Sequence, residues 1–489
     1  MDLESGNFLF HAHLLTIQGI SLSIPFFLTY NSMNAGEDIG LGKGWLSNLH
    51  SCVSEDNQTH DITYISATGA KLVFSYDSQS QSWDNPTGFT GSLTKNGSDY
   101  LLTSLEGMTQ TFDSSGKLTN ISPRDGIGYT ISYASGKPSS VTDDLHASRT
   151  YSLAYNGTGK LTSITDGLSQ SWSFGYDANE NKLESITQPG QSAPSCSFGY
   201  DANYRMTSHE DFEGFTYDIA YEASSPYRIT SWQQPSDEQT SFSYASASSP
   251  YSKKTTVTNP ESIAVQYYFA TASGRLEKVE QTVGIETLQR LFTYNALGLV
   301  SSITDSLGNT QSFTYDTVGH CTQKTDPAPS QGMASYIQEW TYSPSNDVEG
   351  LVTQYREKVT SDLWNLTSYQ YNDLDAPSKP SSIINALADT TQLDYNANGQ
   401  IISITQPIIN NGTKTRTFTY NPSSGSLTKS TDFDGNETTY SWNHNGLVTQ
   451  SIQYEGNKAT GTPLHAVSFT YNATNQQTAT SDSVTSQSS

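Results

Sequence analysis

Apolar and polar residues alternate with a period of two along most of this chain. In "GISLSIPFFLTYNS" the residues Ile20, Leu22, Ile24, Phe26, Leu28 and Tyr30 fall on one face, and Ser21, Ser23, Thr29 and Asn31 on the other. That is the pattern of a half-buried strand. In "FTYNALGLVSSITDSLGNTQSFTYD" Phe292 and Tyr294 project from one face of a strand, Asn295 and Gly298 bracket a turn, and Leu299, Ser301 and Ile303 share a face of the returning strand. An Asx side chain bonds the backbone ahead of it, and glycine accepts positive φ without steric cost. "DSLGN" makes a second turn, and Phe313, Tyr315 and Asp316 begin the next unit. Each unit predicts one β-hairpin. Apolar residues seldom recur at three and four, and Gly, Pro, Ser and Thr interrupt every window before a helix could grow, so the prediction is all-β.

The unit repeats. Tyrosine followed by Asp or Asn stands at Tyr155, Tyr176, Tyr200, Tyr294, Tyr315, Tyr371, Tyr395, Tyr420 and Tyr471. Tyr133, Tyr221, Tyr244, Tyr268, Tyr342 and Trp442 continue the series, at intervals of roughly 21 to 29 residues, a spacing typical of repeat architectures. The residues expected to carry the repeat are Tyr155 with Gly159, Phe174 with Tyr176 and Asp177, Tyr200 with Asp201, Phe292 with Tyr294 and Gly298, Phe313 with Tyr315 and Asp316, Tyr395 with Gly399, Phe418 with Tyr420, and Tyr471. The expected organisation is a β segment over 1–130, the hairpin array over 131–480 and a disordered Ser/Thr-rich tail over 481–489. One unit loses on the order of 1–2 kcal/mol per residue of backbone entropy, and burying four or so large side chains returns only about 2–3 kcal/mol each. No hairpin stands alone, so consecutive units must share one antiparallel sheet.

Composition supports a folded repeat chain. Over 489 residues, apolar side chains make up only 34% and charged ones 15%, but 30 tyrosines, 18 phenylalanines and 7 tryptophans supply more aromatic surface than disordered chains carry. A formal charge of -24 argues against nucleic acid and anionic lipid as partners. The apolar segment near the N-terminus is preceded by Asp2 and Glu4 and interrupted by Ser21, Ser23 and Pro25, which fits neither a membrane span nor an export signal. Cys52, Cys196 and Cys321 are too far apart for a metal knuckle or a disulfide framework.

The motifs "FTYNALGLVSSITDSLGNTQSFTYD" and "FGYDANENKLESIT" resemble the tyrosine-aspartate repeats of the RHS family, which includes bacterial polymorphic toxins and insecticidal toxin-complex shells and, more distantly, teneurins. "DLESGNFLFHAHLL", "IPFFLTYNS" and "GLGKGW" resemble the segment that precedes the repeats in bacterial members. The resemblance covers nearly the whole chain. It implies a long ribbon of hairpins spiralling into a partial or complete hollow shell, secreted or at the cell surface, around an encapsulated polypeptide. After Tyr471 the chain has no Tyr-Tyr-Asp-Pro type core and no toxin-like domain. The expectation is therefore a shell segment, truncated or one part of a split RHS protein.

Other chemistry is sparse. His11 and His13 share a strand face, but no third zinc ligand is marked nearby. Asp432, Asp434, Asn436 and Glu437 resemble a calcium loop yet fall where other copies have a turn. Asp143, Asp144, Glu210 and Asp211 read as solvated loop carboxylates rather than a glycosidase pair. There is no phosphate loop, nucleophile elbow or zincin helix. Sequons such as those at Asn57, Asn96, Asn365 and Asn472 are what chance yields in a Ser/Thr-rich chain. The expected function is a non-enzymatic structural shell, without cofactor or metal. The alternative is an extracellular adhesion or carbohydrate-binding module, in which exposed Tyr and Trp stack on sugars.

Overall fold

The structure is a computed structural model, and it describes residues 1–17, 22–124, 126–329, 334–344, 350–360, 363–408, 412–443, 446–458, 461, 463–472 and 476–484. Strands β1 (Leu9–Ile17), β2 (Ile24–Asn31) and β3 (Trp45–Ser47) form a first antiparallel sheet. Strands β4 (Cys52–Glu55), β5 (Ile62–Ile65), β6 (Lys71–Asp77) and β7 (Ser82–Asp84) form a second. All later strands, from β8 (Gly91–Asn96) to β41 (Gln477–Val484), belong to one antiparallel sheet of 34 strands paired in chain order. One 3-10 turn, Ser32–Asn34, is capped by the Asn31 side chain.

The expected segment boundaries shift. The continuous sheet opens at Gly91 rather than near 131, because Tyr100 and Leu102 on the second of its strands already alternate inward like later repeats. At the other end, Ser481 to Val484, expected in the tail, pair with His465 to Ser468. Residues 485–489 of the expected tail, and Ile20 and Ser21 of the expected first strand, lie outside the described residues. Ile24, Phe26, Leu28 and Tyr30 are all 0% exposed as the period-two pattern expects, but Thr29 at 0% and Asn31 at 5% are buried too, so the end of this strand is covered on both faces rather than half-buried.

Burial divides the array in two. One contiguous core runs from Phe8 to Ile229 and joins the first sheet to the array face carrying Ile131, Tyr151, Ile164, Phe174, Ile186 and Phe198. Past Ala270 the buried hydrophobics among the described residues are Ala376, Tyr395 and Tyr454. Phe292, Phe313 and Phe418 are only partly buried, whereas Phe174 and Phe198 on the same face of the first turn are buried. A compact 53.4 kDa monomer would expose about 18,000 Å², whereas this chain exposes 25,403 Å².

Candidate functional site

The repeat tyrosines form a bonded lattice. Tyr294 pairs with Val300 across its hairpin after a bulge between Thr293 and Tyr294, and the same slip precedes Tyr133, Tyr155, Tyr176, Tyr200, Tyr315, Tyr420 and Tyr471. A bulge turns the strand and re-aims the next side chain. The tyrosine then reaches back one hairpin: the Tyr315 hydroxyl donates to the carbonyl of Val300, the residue that pairs with the preceding repeat tyrosine, at 2.8 Å. Tyr133, Tyr176, Tyr200 and Tyr244 bond Leu118, Leu161, Leu183 and Ile229 at 2.8, 2.8, 2.6 and 2.8 Å. Tyr395, Tyr420 and Tyr471 bond Pro380, Ile401 and Val448 at 2.9, 2.9 and 2.7 Å. Tyr294 does the same with Leu276, and Trp442 substitutes its indole N–H toward Leu427 at 2.6 Å. Tyr155 and Tyr221 depart from the rule, their buried hydroxyls having no partner. Burial in this lattice raises the tyrosine pKa values, that of Tyr342 to about 12.

Where Asp or Asn follows the tyrosine, it commonly caps the turn. Asp316 Oδ1 accepts from the backbone N–H of Val318, Gly319 and His320. Asp177 serves Asn181 and Lys182, Asp201 serves Asn203 and Arg205, and Asn295 serves Leu299 at 2.9 Å. Glycine follows because φ is +85° at Gly159, +84° at Gly298 and +67° at Gly399.

The ribbon thus has two edges, one made of the Tyr-Asp turns and an opposite edge made of the turns between repeats. Residues 1–53 seal the Tyr-Asp edge of the first ribbon turn. Val53 donates to the carbonyl of Gly116 at 3.0 Å, Leu161 to Gly40 at 2.9 Å, Lys43 to Asn181 at 2.7 Å and Ile229 to Gly6 at 3.0 Å. The Tyr30 hydroxyl donates to Tyr204 O and accepts from Met206 N, both at 2.9 Å, and the Trp45 indole donates to the Tyr200 hydroxyl at 2.8 Å. Charge helps, because Asp38 and Glu4 of this cap pair with Lys160 and Lys253. Along the same edge Lys117, Lys160, Arg205 and Arg228 lie over the rings of Tyr133, Tyr176, Tyr221 and Tyr244. Sequence reading missed this basic row; its signal was a Lys or Arg at the close of successive Tyr-Asp turns.

The opposite edge of the first turn meets the Tyr-Asp edge of a later one. Arg149 donates to the carbonyl of Ser424, 23 strands farther along the ribbon, and Gly350 sits against Arg124, 19 strands apart. A recess of about 670 Å³ at this seam is lined by Leu168, Trp172, Asn421 and Asn443. The ribbon is therefore a spiral of about 20 strands per turn, about 100 Å around at 4.8 Å per strand.

The other candidate groups are held locally. His11 Nδ1 bonds Thr29 at 3.0 Å and His13 Nε2 bonds Thr16 at 2.8 Å. Asp432 Oδ1 accepts from Asp434 N and Asn436 N, and Glu437 pairs with Lys429 at 2.8 Å. Asp143 caps Leu145 and His146, Asp144 accepts from Thr130, Glu210 from Ser197 and Asp211 from Glu213. Among the described residues no three His, Cys, Asp or Glu groups are grouped to hold a metal ion. The three thiols are free, and burial pushes that of Cys196 up to about 12. No helix among the described residues is long and apolar enough to cross a membrane.

Residues 1–74 match a family described as a domain of unknown function, DUF6531, and residues 155–193 and 294–331 match the RHS Repeat. Comparison with curated proteins found no match. Solved structures with some likeness include the Photorhabdus luminescens Tc holotoxin pore with a mutated TccC3, at 13% identity and a TM-score of 0.35, covering 96% of this chain and 30% of that one. A TcdB2-TccC3-TEV crystal structure follows at 8% identity and a TM-score of 0.30, covering 95% and 32%. A porin-like protein from Bacteroides uniformis gives 13% identity and a TM-score of 0.20, covering 49% and 92%. The chain thus spans about a third of the length of the toxin-complex chains it matches. Two stretches matched to the RHS Repeat, set in an array built on one recurring bulge, turn cap and cross-hairpin hydroxyl bond, show that this chain carries RHS, or YD, repeats.

Proposed function

We propose that this protein is the capped end of a hollow RHS shell, a structural container rather than an enzyme, which encloses a polypeptide effector outside the producing cell. The observation that carries this reading is the aromatic face past Ala270, which is only partly buried although it repeats the face fully buried in the first ribbon turn. Such a face in a spiral about 100 Å around lines a lumen. The cap closes one end of that lumen, and the remainder of a split RHS protein is the natural source of further shell wall. Small-angle scattering and electron microscopy of the purified chain test it. A compact chain of 489 residues has a radius of gyration of about 23 Å. The shell reading expects a clearly larger value and a central minimum in projected density; a solid particle near 23 Å would refute it.

A glycan-contact role rests on a second place, a recess of about 560 Å³ walled by Tyr76 and Trp83. Glu55 and Lys95 are paired there at 2.8 Å, and bonds from Lys95, Tyr100 and His60 hold the Glu55 carboxyl down at about 2. A glycan array probed with the full chain and with Trp83→Ala tests this reading, which fails if no glycan binds or if the variant binds equally well.

A further inference from the structure

Asn96, Asn156, Asn398, Asn411 and Asn445 are each followed directly by glycine. Asn411 and Asn445 lie outside the described residues. An Asn-Gly pair reacts with itself when its geometry allows. The glycine backbone nitrogen, freed of its proton, attacks the asparagine Cγ; a new C–N bond closes a succinimide ring, the Cγ–Nδ2 bond breaks, and ammonia leaves. Water then opens the ring at either carbonyl, leaving an aspartyl residue or an isoaspartyl one whose main chain runs through the former side chain. Glycine favours the closure because no Cβ hinders the approach. Two further conditions are structural: the asparagine side chain must be free to turn, and the glycine N–H must be free of a hydrogen bond.

Asn156 fails the first condition. Its Oδ1 accepts from Thr158 N and Lys160 N at 3.1 and 2.8 Å, and its Nδ2 donates to Glu180 at 3.0 Å. Asn398 fails the second, because Gly399 N donates to the Asn396 carbonyl at 2.8 Å and Gly399 is itself buried. Asn96 meets both. It is exposed, no hydrogen bond among the described residues holds its side chain or Gly97 N, and a Cβ placed on Gly97 would meet nothing within 4 Å.

We propose that Asn96 is a self-modification site of this protein, converting through a succinimide with Gly97 while Asn156 and Asn398 are held back by their bonds. Its place in the fold gives the conversion a consequence. Asn96 ends β8 and pairs with Asp99 across a two-residue turn, so the new carboxylate stands opposite Asp99 as a like-charge pair. An isoaspartyl residue also lengthens the main chain within the turn that sets the register of this hairpin. The next pair inward is Lys95 with Tyr100, and both bond Glu55 Oε2, at 2.8 and 2.6 Å. By these bonds the first hairpin of the ribbon grips the second sheet, and conversion at Asn96 loosens that grip.

Peptide mapping by mass spectrometry of the full chain, aged for weeks at mildly alkaline pH either folded or in urea, is the test. A hydrogen bond that must open first slows the reaction by about fivefold, so the folded chain should convert Asn96 at least about fivefold faster than Asn156 or Asn398. In urea, where those bonds are gone, the three should react alike. Equal rates in the folded chain, or a slower Asn96, would overturn the proposal. So would a preference for Asn96 that persists in urea, since the selectivity would then belong to the local sequence rather than to the fold. Hydrogen exchange reads the consequence. Amides of Asp99–Ser104 should exchange faster after ageing in the native chain and unchanged in Asn96→Gln, whose longer side chain closes the corresponding ring far more slowly. A chain converted at Asn96 that exchanges like the fresh one, or an Asn96→Gln chain that accelerates equally, would refute the loosened grip.

Discussion

Removing one hydroxyl from the tyrosine lattice should have opposite effects at two kinds of site. Tyr176→Phe deletes the 2.8 Å bond to the Leu161 carbonyl, a net loss of about 1 kcal/mol. Tyr155→Phe and Tyr221→Phe delete hydroxyls that are buried without a partner, relieving a desolvation penalty of about 1–2 kcal/mol. The two classes should therefore differ by about 2–3 kcal/mol while losing the same atom. A thermal scan is a poor assay, because unfolding entropy grows with chain length by about 2 cal/mol/K per residue. Each change would move the midpoint by only about 1 °C in a chain of 489 residues. Native-state hydrogen exchange reads the hairpins directly. Amides of Ser171–Tyr176 and Leu183–Thr187 should exchange about fivefold faster in Tyr176→Phe. Those of Thr150–Tyr155 and Leu161–Asp166 should slow in Tyr155→Phe. If both variants accelerate exchange alike, the cross-hairpin bond is not what distinguishes these tyrosines.

Two further outcomes follow from single positions. Gly298→Ala must hold φ at +84° and Gly308→Ala at +83°, and the added Cβ at Gly298 meets only the end of the flexible Arg275 side chain, which can swing aside, whereas that at Gly308 meets open space; urea unfolding should show about 1 kcal/mol lost at each, and a much larger loss at Gly298 would mean that Arg275 is held fast. His209 lies between Phe10 of the cap at 4.5 Å and Tyr217 at 4.6 Å. Burial outweighs the nearby Asp211 and pushes His209 down to about 4. Its pKa is then lower folded than unfolded, so its contribution is complete above about pH 6.5 and lost as pH falls toward 4, at most about 3 kcal/mol. Stability measured over that window should flatten in His209→Phe, and an unchanged slope would assign the acid loss to other groups.

Much of the array was legible in the chain itself. Period-two alternation, Asx and Gly at fixed offsets and aromatics recurring at hairpin intervals dictate strands, turns and their order, because these are local properties of a pleated backbone. The role of Asp177, Asp201 and Asp316 as turn caps could be foreseen from their place after tyrosine. The bulge before most of these tyrosines could not, because register is settled between strands rather than within one. Nor could the partner of the tyrosine hydroxyl, a carbonyl one hairpin away that only strand pairing brings within reach. The start of the sheet at Gly91 was only partly legible: Phe112 with Asp113 and Gly116 repeats the motif with Phe in place of Tyr, whereas the two strands before it pair in the same way without it.

What the chain alone determined is a hairpin ribbon that must be continuous, since no unit buries enough surface to fold by itself. Tertiary structure alone decided which of its faces and edges are covered. Leu168, Leu307 and Leu387 share motif, turn and backbone bonds, and only the fall of one ribbon turn on another separates a shielded leucine from two exposed ones. Likewise Phe174 is 7% exposed and Phe292 only partly buried because residues 1–53 lie over one half of the spiral. The small twist added by every strand, summed over about 20 of them, sets where those contacts fall, and no single repeat encodes that sum.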